Sequence, residues 1–141
     1  MKEDARRLIW HGVLLLLLGL LSGAIVQTLA VPRLGLSAHI LGVVGGLASI
    51  VLGLLWPQLR LGARASSVAC WLAVYSFYAG WLMPLLGGVW GAGAGMLPIA
   101  AGGARGAAWQ EGVIAIGLGT AAVAIVVVCG MMLWGLRSAR N

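Results

Sequence analysis

Residues 8–31 read LIWHGVLLLLLGLLSGAIVQTLAV and carry no formal charge. A helix that crosses the hydrocarbon of a bilayer needs about 20 consecutive apolar residues, so this stretch predicts a membrane-spanning helix. It is too long for the apolar core of a secretory signal, and Gln27-Thr28-Leu29-Ala30 is an indifferent cleavage site that runs straight into more apolar chain. Pro32 ends the run, because proline has no amide hydrogen with which to continue a helix. Working outward, a second apolar run covers 34–56 and is stopped by Pro57, a third covers 65–86, and a fourth covers 112–136. The reading is all-α: an integral membrane four-helix bundle, one membrane domain over 1–141, with an outer loop at 87–111.

The composition agrees. Of 141 residues, 62% are hydrophobic and 9% charged, whereas soluble domains run near 45–50% apolar and about a quarter charged. Four crossings use most of the chain and leave no room for a separate soluble catalytic domain. The 23 glycines suggest helices that approach closely, or that lie against something flat. Cys70 and Cys129 fall within apolar runs and read as small buried hydrophobes rather than a disulfide. The loop sequence GGVWGAGAGMLPIAAGGARGAAWQE is apolar but too rich in glycine for a long helix. An irregular segment of that kind must pack against protein, since lipid cannot satisfy its backbone.

Lys2, Arg6, Arg7, Arg60, Arg64, Arg137 and Arg140 fall on one side of the four runs, and Arg33 and Arg105 on the other. The excess of cations marks the cytoplasmic side, which places both termini in the cytoplasm. Trp10, Trp56 and Trp134 fall at cytoplasmic helix ends, and Trp90 and Trp109 bracket the outer loop. The net charge of +6 therefore reads as topology and lipid-headgroup contact, not nucleic-acid binding.

Most catalytic constellations are missing from the sequence: it has no paired carboxylates in its apolar segments, no CxxC or HExxH cluster, no phosphate-cradling lysine loop and no serine triad. The scarcity of ionisable residues at depth also weakens a transporter or proton channel. What remains is His39, early in the second run. Gly42, Gly46 and Ser49 share its helix face by the 3.6-residue period. That stripe is either a small-residue packing seam with a histidine bonded to a neighbouring helix, or the face of a flat macrocycle with His39 as axial ligand. His11, beside Trp10 at the inner end of the first run, reads as an interface residue. On the third run Trp71, Tyr75, Tyr78 and Leu82 follow a four, three, four spacing and form one face. Buried phenols want hydrogen-bond partners, and one beside a reacting group could move a proton.

The stretches PRLGLSAHILGVVGG, LGLLWPQLRL, CWLAVYSFYAGW and especially VWGAGAGMLPIAAGGARGAAWQE resemble the bacterial hydroxylaminobenzene mutases, small four-helix membrane isomerases related to styrene oxide isomerase. The resemblance covers nearly the whole chain. It implies a homotrimer in the bacterial inner (cytoplasmic) membrane, built around haem b, with a histidine early in the second helix as axial ligand. That position is His39, with Gly42 and Gly46 leaving room for the ring. The implied reaction turns an aryl hydroxylamine into a 2-aminophenol, with haem iron as Lewis acid and Tyr75 and Tyr78 as the catalytic polar groups. The chain departs from the resembled families at two substrate-pocket positions, where Gly45 and Gly80 stand in place of asparagines. Those departures keep two alternatives open, an epoxide isomerase of the styrene oxide type and a catalytically altered haem-binding scaffold.

Overall fold

The computed structural model describes residues 2–137. Its long helices are α1 (Lys2–Ile25), α2 (Pro32–Leu55), α3 (Ala63–Trp90) and α5 (Ala108–Arg137), with a four-residue α4 (Pro98–Ala101) between α3 and α5. All four long helices have the length and apolarity to cross a membrane.

The boundaries differ from the apolar runs for local reasons. Helix α1 starts six residues before Leu8 because the charged N-terminal segment is itself a good first turn. Glu3 and Asp4 lie at its positive end, and Arg7 reaches back to both, at 2.5 and 3.5 Å. The helix stops at Ile25. A 3₁₀ turn, Val26–Thr28, and extended backbone at Val31 follow, as the residue before a proline is pushed out of the helical region. Helix α3 continues through Pro84 to Trp90 and ends at Gly91, whose φ of 67° is the left-handed cap that glycine adopts without strain.

The most extensive contact is between α1 and α2. α3 packs on α2, and α5 packs principally on α3. The α1–α2 seam is backbone on backbone: a Cβ placed on Gly42 would lie 2.6 Å from Cα of Gly19, and one on Gly46 would lie 2.6 Å from the Leu16 nitrogen. Gly12 and Gly53 are equally enclosed. Small residues allow this approach in a membrane, where dispersion and polar contacts replace the hydrophobic effect between helices. Ser49 adds a bond across the seam, its hydroxyl donating to the Leu8 carbonyl at 2.8 Å.

At the end of the bundle that holds the start of α1, a polar clasp joins three elements. The indole N–H of Trp56 donates to Ser66 Oγ at 3.0 Å, and the Ser66 hydroxyl donates to Asp4 Oδ2 at 2.7 Å. Trp56 is thus fully buried and is not an interface anchor, unlike the exposed Trp10 and Trp134. Asp4, which the hydropathy pattern gives no reason to bury, is 6% exposed. Both cysteines are free, but only Cys70 is buried; Cys129 lies exposed on α5. Lys2, Arg6, Arg7, Arg60, Arg64 and Arg137 all lie at this end, and Arg33 and Arg105 at the other; Arg140 lies outside the described residues.

At the opposite end the loop is held by one carboxylate. The amides of Gly93 and Gly106 donate to Glu111 Oε1 at 2.9 and 3.1 Å, and that of Gly95 to Oε2 at 3.2 Å. Trp90 and Trp109 meet edge to face, their ring centroids 5.2 Å apart. Ala92 and Ala101 are buried, so the loop packs on protein as its composition requires, while Ile99 at the tip is 89% exposed.

Candidate active site

The aromatic face of α3 is real and open. Because α5 contacts the bundle mainly through α3, Trp71, Tyr75, Tyr78 and Leu82 form the floor of a groove walled by α1 and α5, with Trp71 and Tyr75 about half exposed. The two phenols are tied to opposite walls. Tyr75 shares a 2.6 Å hydrogen bond with Thr120 Oγ1 on α5. The Tyr78 oxygen lies 3.3 Å from Nδ1 of His11 and 3.4 Å from the His11 carbonyl on α1.

His11 is therefore more than an interface residue. Its ring meets Trp10, Trp71 and Tyr78 edge-on, at centroid distances of 4.9, 5.9 and 5.7 Å. The Arg7 guanidinium sits 5.9 Å from the Trp71 ring. A cavity of about 380 Å³ lined by Arg6, Arg7, Trp10 and His11 opens at this end. Sequence reading missed the pairing because 67 positions separate His11 from Tyr78.

His39 lies elsewhere. Its Nδ1 is 2.8 Å from the Gly19 carbonyl oxygen on α1. A carbonyl only accepts, so Nδ1 carries the proton and Nε2 keeps its lone pair. The half-buried ring lies against Gly23, at the margin of the seam. Gly42 and Gly46 share its helix face, but they are filled by α1 backbone and leave no space for a macrocycle within the subunit. The role of making room for a ring is corrected for both glycines: the stripe is the packing seam, with its histidine bonded to the neighbouring helix. Gly45, six residues after His39, is turned about 120° from it around the helix and lies against Leu15 and Phe77. Gly80 is about 200° from Tyr78, on the far side of α3 from the aromatic groove, with open space beside it. Neither glycine joins the two phenols.

Haem is nonetheless compatible with His39. An axial histidine is commonly oriented by a bond from its second ring nitrogen to a backbone carbonyl, and the Nδ1–Gly19 bond is of that kind. Among the described residues no group of three His, Cys, Asp or Glu side chains could hold a bare metal ion. The donor set suits a macrocycle needing one protein ligand.

An all-helical membrane protein with four spans, one oriented imidazole and a groove of aromatic rings is a class with few catalytic means beyond positioning a small apolar molecule. Within that class the chain belongs to the styrene oxide isomerase family, whose family model matches residues 4–137. It is 53% identical over 135 residues to hydroxylaminobenzene mutase HabB of Ectopseudomonas oleovorans, covering 96% of this chain and 82% of that protein. Hydroxylaminobenzene mutase HabA of the same organism is 42% identical over 103 residues, covering 73% of this chain and 76% of that protein. No solved structure matches the chain. Mutase and isomerase both name intramolecular rearrangements, so the chain falls among multi-pass membrane isomerases.

Proposed function

We propose that this protein rearranges an aryl hydroxylamine to a 2-aminophenol inside the bilayer. The observation that carries the reading is the 53% identity to a hydroxylaminobenzene mutase over 96% of the chain. The reaction moves a hydroxyl from nitrogen to the ortho carbon of the ring. The proton lost from that carbon is matched by one gained at nitrogen, so nothing is oxidised or reduced overall.

The groove on α3 suits such a substrate. Its ring lies on the Trp71 and Leu82 surface, an apolar floor that keeps bulk water from capturing the ring as positive charge develops. The Tyr78 phenol donates a hydrogen bond to the hydroxyl oxygen as the N–O bond breaks, and Tyr75, fixed by Thr120, orients the other edge. His39, its Nδ1 tied to the Gly19 carbonyl, is the residue that would hold haem b, which when bound would supply Lewis acidity toward the N–O bond. His39 lies at the α1–α2 margin and the phenols between α1 and α5, so a complete site takes His39 from one copy and the aromatic face from another. A closed ring of copies making one repeated head-to-tail contact meets that need, and the homotrimer is the ring we favour. The cation-rich end faces the cytoplasm of a bacterial inner membrane, and lipid covers the remaining apolar surface.

Two substrates and one spectrum test this. Membranes containing the protein convert phenylhydroxylamine to 2-aminophenol, and the purified protein shows a Soret band that His39→Ala abolishes. Full haem occupancy in His39→Ala would overturn the ligand assignment. The family match to styrene oxide isomerase supports epoxide isomerisation as the second reading; phenylacetaldehyde formed from styrene oxide, without aminophenol from the hydroxylamine, would select it. Turnover of neither substrate by a haem-loaded protein would select the altered scaffold.

A further inference from the structure

We infer that His11 is a positioning residue for the Tyr78 phenol, leaving the Tyr78 proton available to a bound substrate. The inference rests on the mutase reading above, and it concerns a residue whose sequence context suggested only an interface anchor.

The Tyr78 hydroxyl has one proton, and two groups of His11 lie within its reach: Nδ1 at 3.3 Å and the backbone carbonyl at 3.4 Å. If Nδ1 is bare, it accepts the phenol proton and uses it up. If Nδ1 carries hydrogen, it donates to the phenol oxygen, and the Tyr78 O–H is free to turn from the carbonyl toward the groove. The second arrangement holds the oxygen in place and leaves its proton for the substrate. The ring has little freedom to leave, since Trp10, Trp71 and Tyr78 meet it edge-on from α1 and α3. Arg6 and Arg7 line the cavity beside His11, and Arg7 is paired with Glu3 and Asp4, its guanidinium 5.9 Å from the Trp71 ring centroid. The histidine thus fixes the catalytic oxygen through a single atom, Nδ1.

That atomic detail sets the test. Asparagine places its side-chain amide at the distance from the backbone where histidine has Nδ1, whereas glutamine reaches one bond farther. In the full-length, haem-loaded protein, His11→Phe lowers kcat for phenylhydroxylamine by about three- to tenfold, the worth of one hydrogen bond, with KM little changed. His11→Asn restores most of the rate and His11→Gln does not. In a Tyr78→Phe background, His11→Phe costs nothing further. Equal loss in His11→Asn and His11→Phe, or additive losses with Tyr78→Phe, would overturn the positioning role. If the unaltered protein turns over the hydroxylamine but Tyr78→Phe is indifferent, this inference fails alone; if the unaltered protein has no such turnover, the mutase reading fails with it.

Discussion

The α1–α2 seam and the outer face of α3 are both stripes of residues at helical spacing, yet they are built in opposite ways. In the seam, glycines bring two backbones into contact, and a Cβ added at Gly12, Gly19, Gly42, Gly46 or Gly53 would strike the backbone of the facing helix. On α3, the stripe is three rings and a leucine, its two phenols bonded to α1 and α5 and its Trp71 and Tyr75 rings about half exposed. The seam holds α1 and α2 together, with one histidine emerging at its margin, while the α3 face keeps Trp71 and Tyr75 about half exposed. The glycines of the seam therefore serve helix assembly.

Substitutions at three positions sharpen this contrast, beginning with the largest effect. Gly46→Leu would drive a branched side chain into the Leu16 backbone and should prevent α1 and α2 from pairing; even Gly46→Ala should cost about 1–3 kcal/mol, as for overpacking in a tight core. Thermal unfolding in detergent measures this, and an unchanged midpoint for Gly46→Ala would mean the seam is looser than described. An intermediate effect is expected at the loop. Glu111→Gln keeps one acceptor oxygen but sets an amide N–H₂ against a backbone donor, so the loop should open more often and trypsin should cut after the exposed Arg105 several-fold faster. Cleavage at the original rate would show that the loop is held by its other contacts. The smallest effect belongs to Gly119→Ala, on α5 with nothing within 4 Å of the added carbon. It should be neutral or stabilise by up to about 1 kcal/mol through helix propensity, and a clear loss would reveal that this face is covered by another copy.

The sequence makes the four spans legible because apolar length is a direct physical requirement of the bilayer. It is less informative at their ends. The charged start of α1 is helical through its own ion pairs, and Pro84 lies inside α3 without stopping it. Periodicity likewise identifies both stripes, since it states which residues share a face. It does not state what covers that face, and so Gly42 and Gly46 read equally well as a cofactor surface until α1 is seen to fill them. The Asp4–Ser66–Trp56 clasp and the His11–Tyr78 pair join residues far apart in the chain, and no local pattern announces such pairs. Glu111 is a partial exception. A single acid just after a glycine-rich loop is the kind of residue that loose backbone amides require, although its partners become identifiable only in three dimensions.

The attachment of α5 mainly to α3 has a consequence for how the protein is made. α1 and α2 are joined by a short connection and share the tightest contact in the molecule, so this hairpin can associate as soon as both helices are inserted, with little loop entropy to overcome. Helix α3 then docks on a finished surface. α5, emerging last, has one helix to find, helped at its two ends by the Glu111 clasp and by the Gly135 carbonyl, which accepts from the Arg60 amide at 3.2 Å. Among these four helices the order of synthesis and the order of strength coincide, and the groove that would receive a substrate is completed when α5 docks on α3.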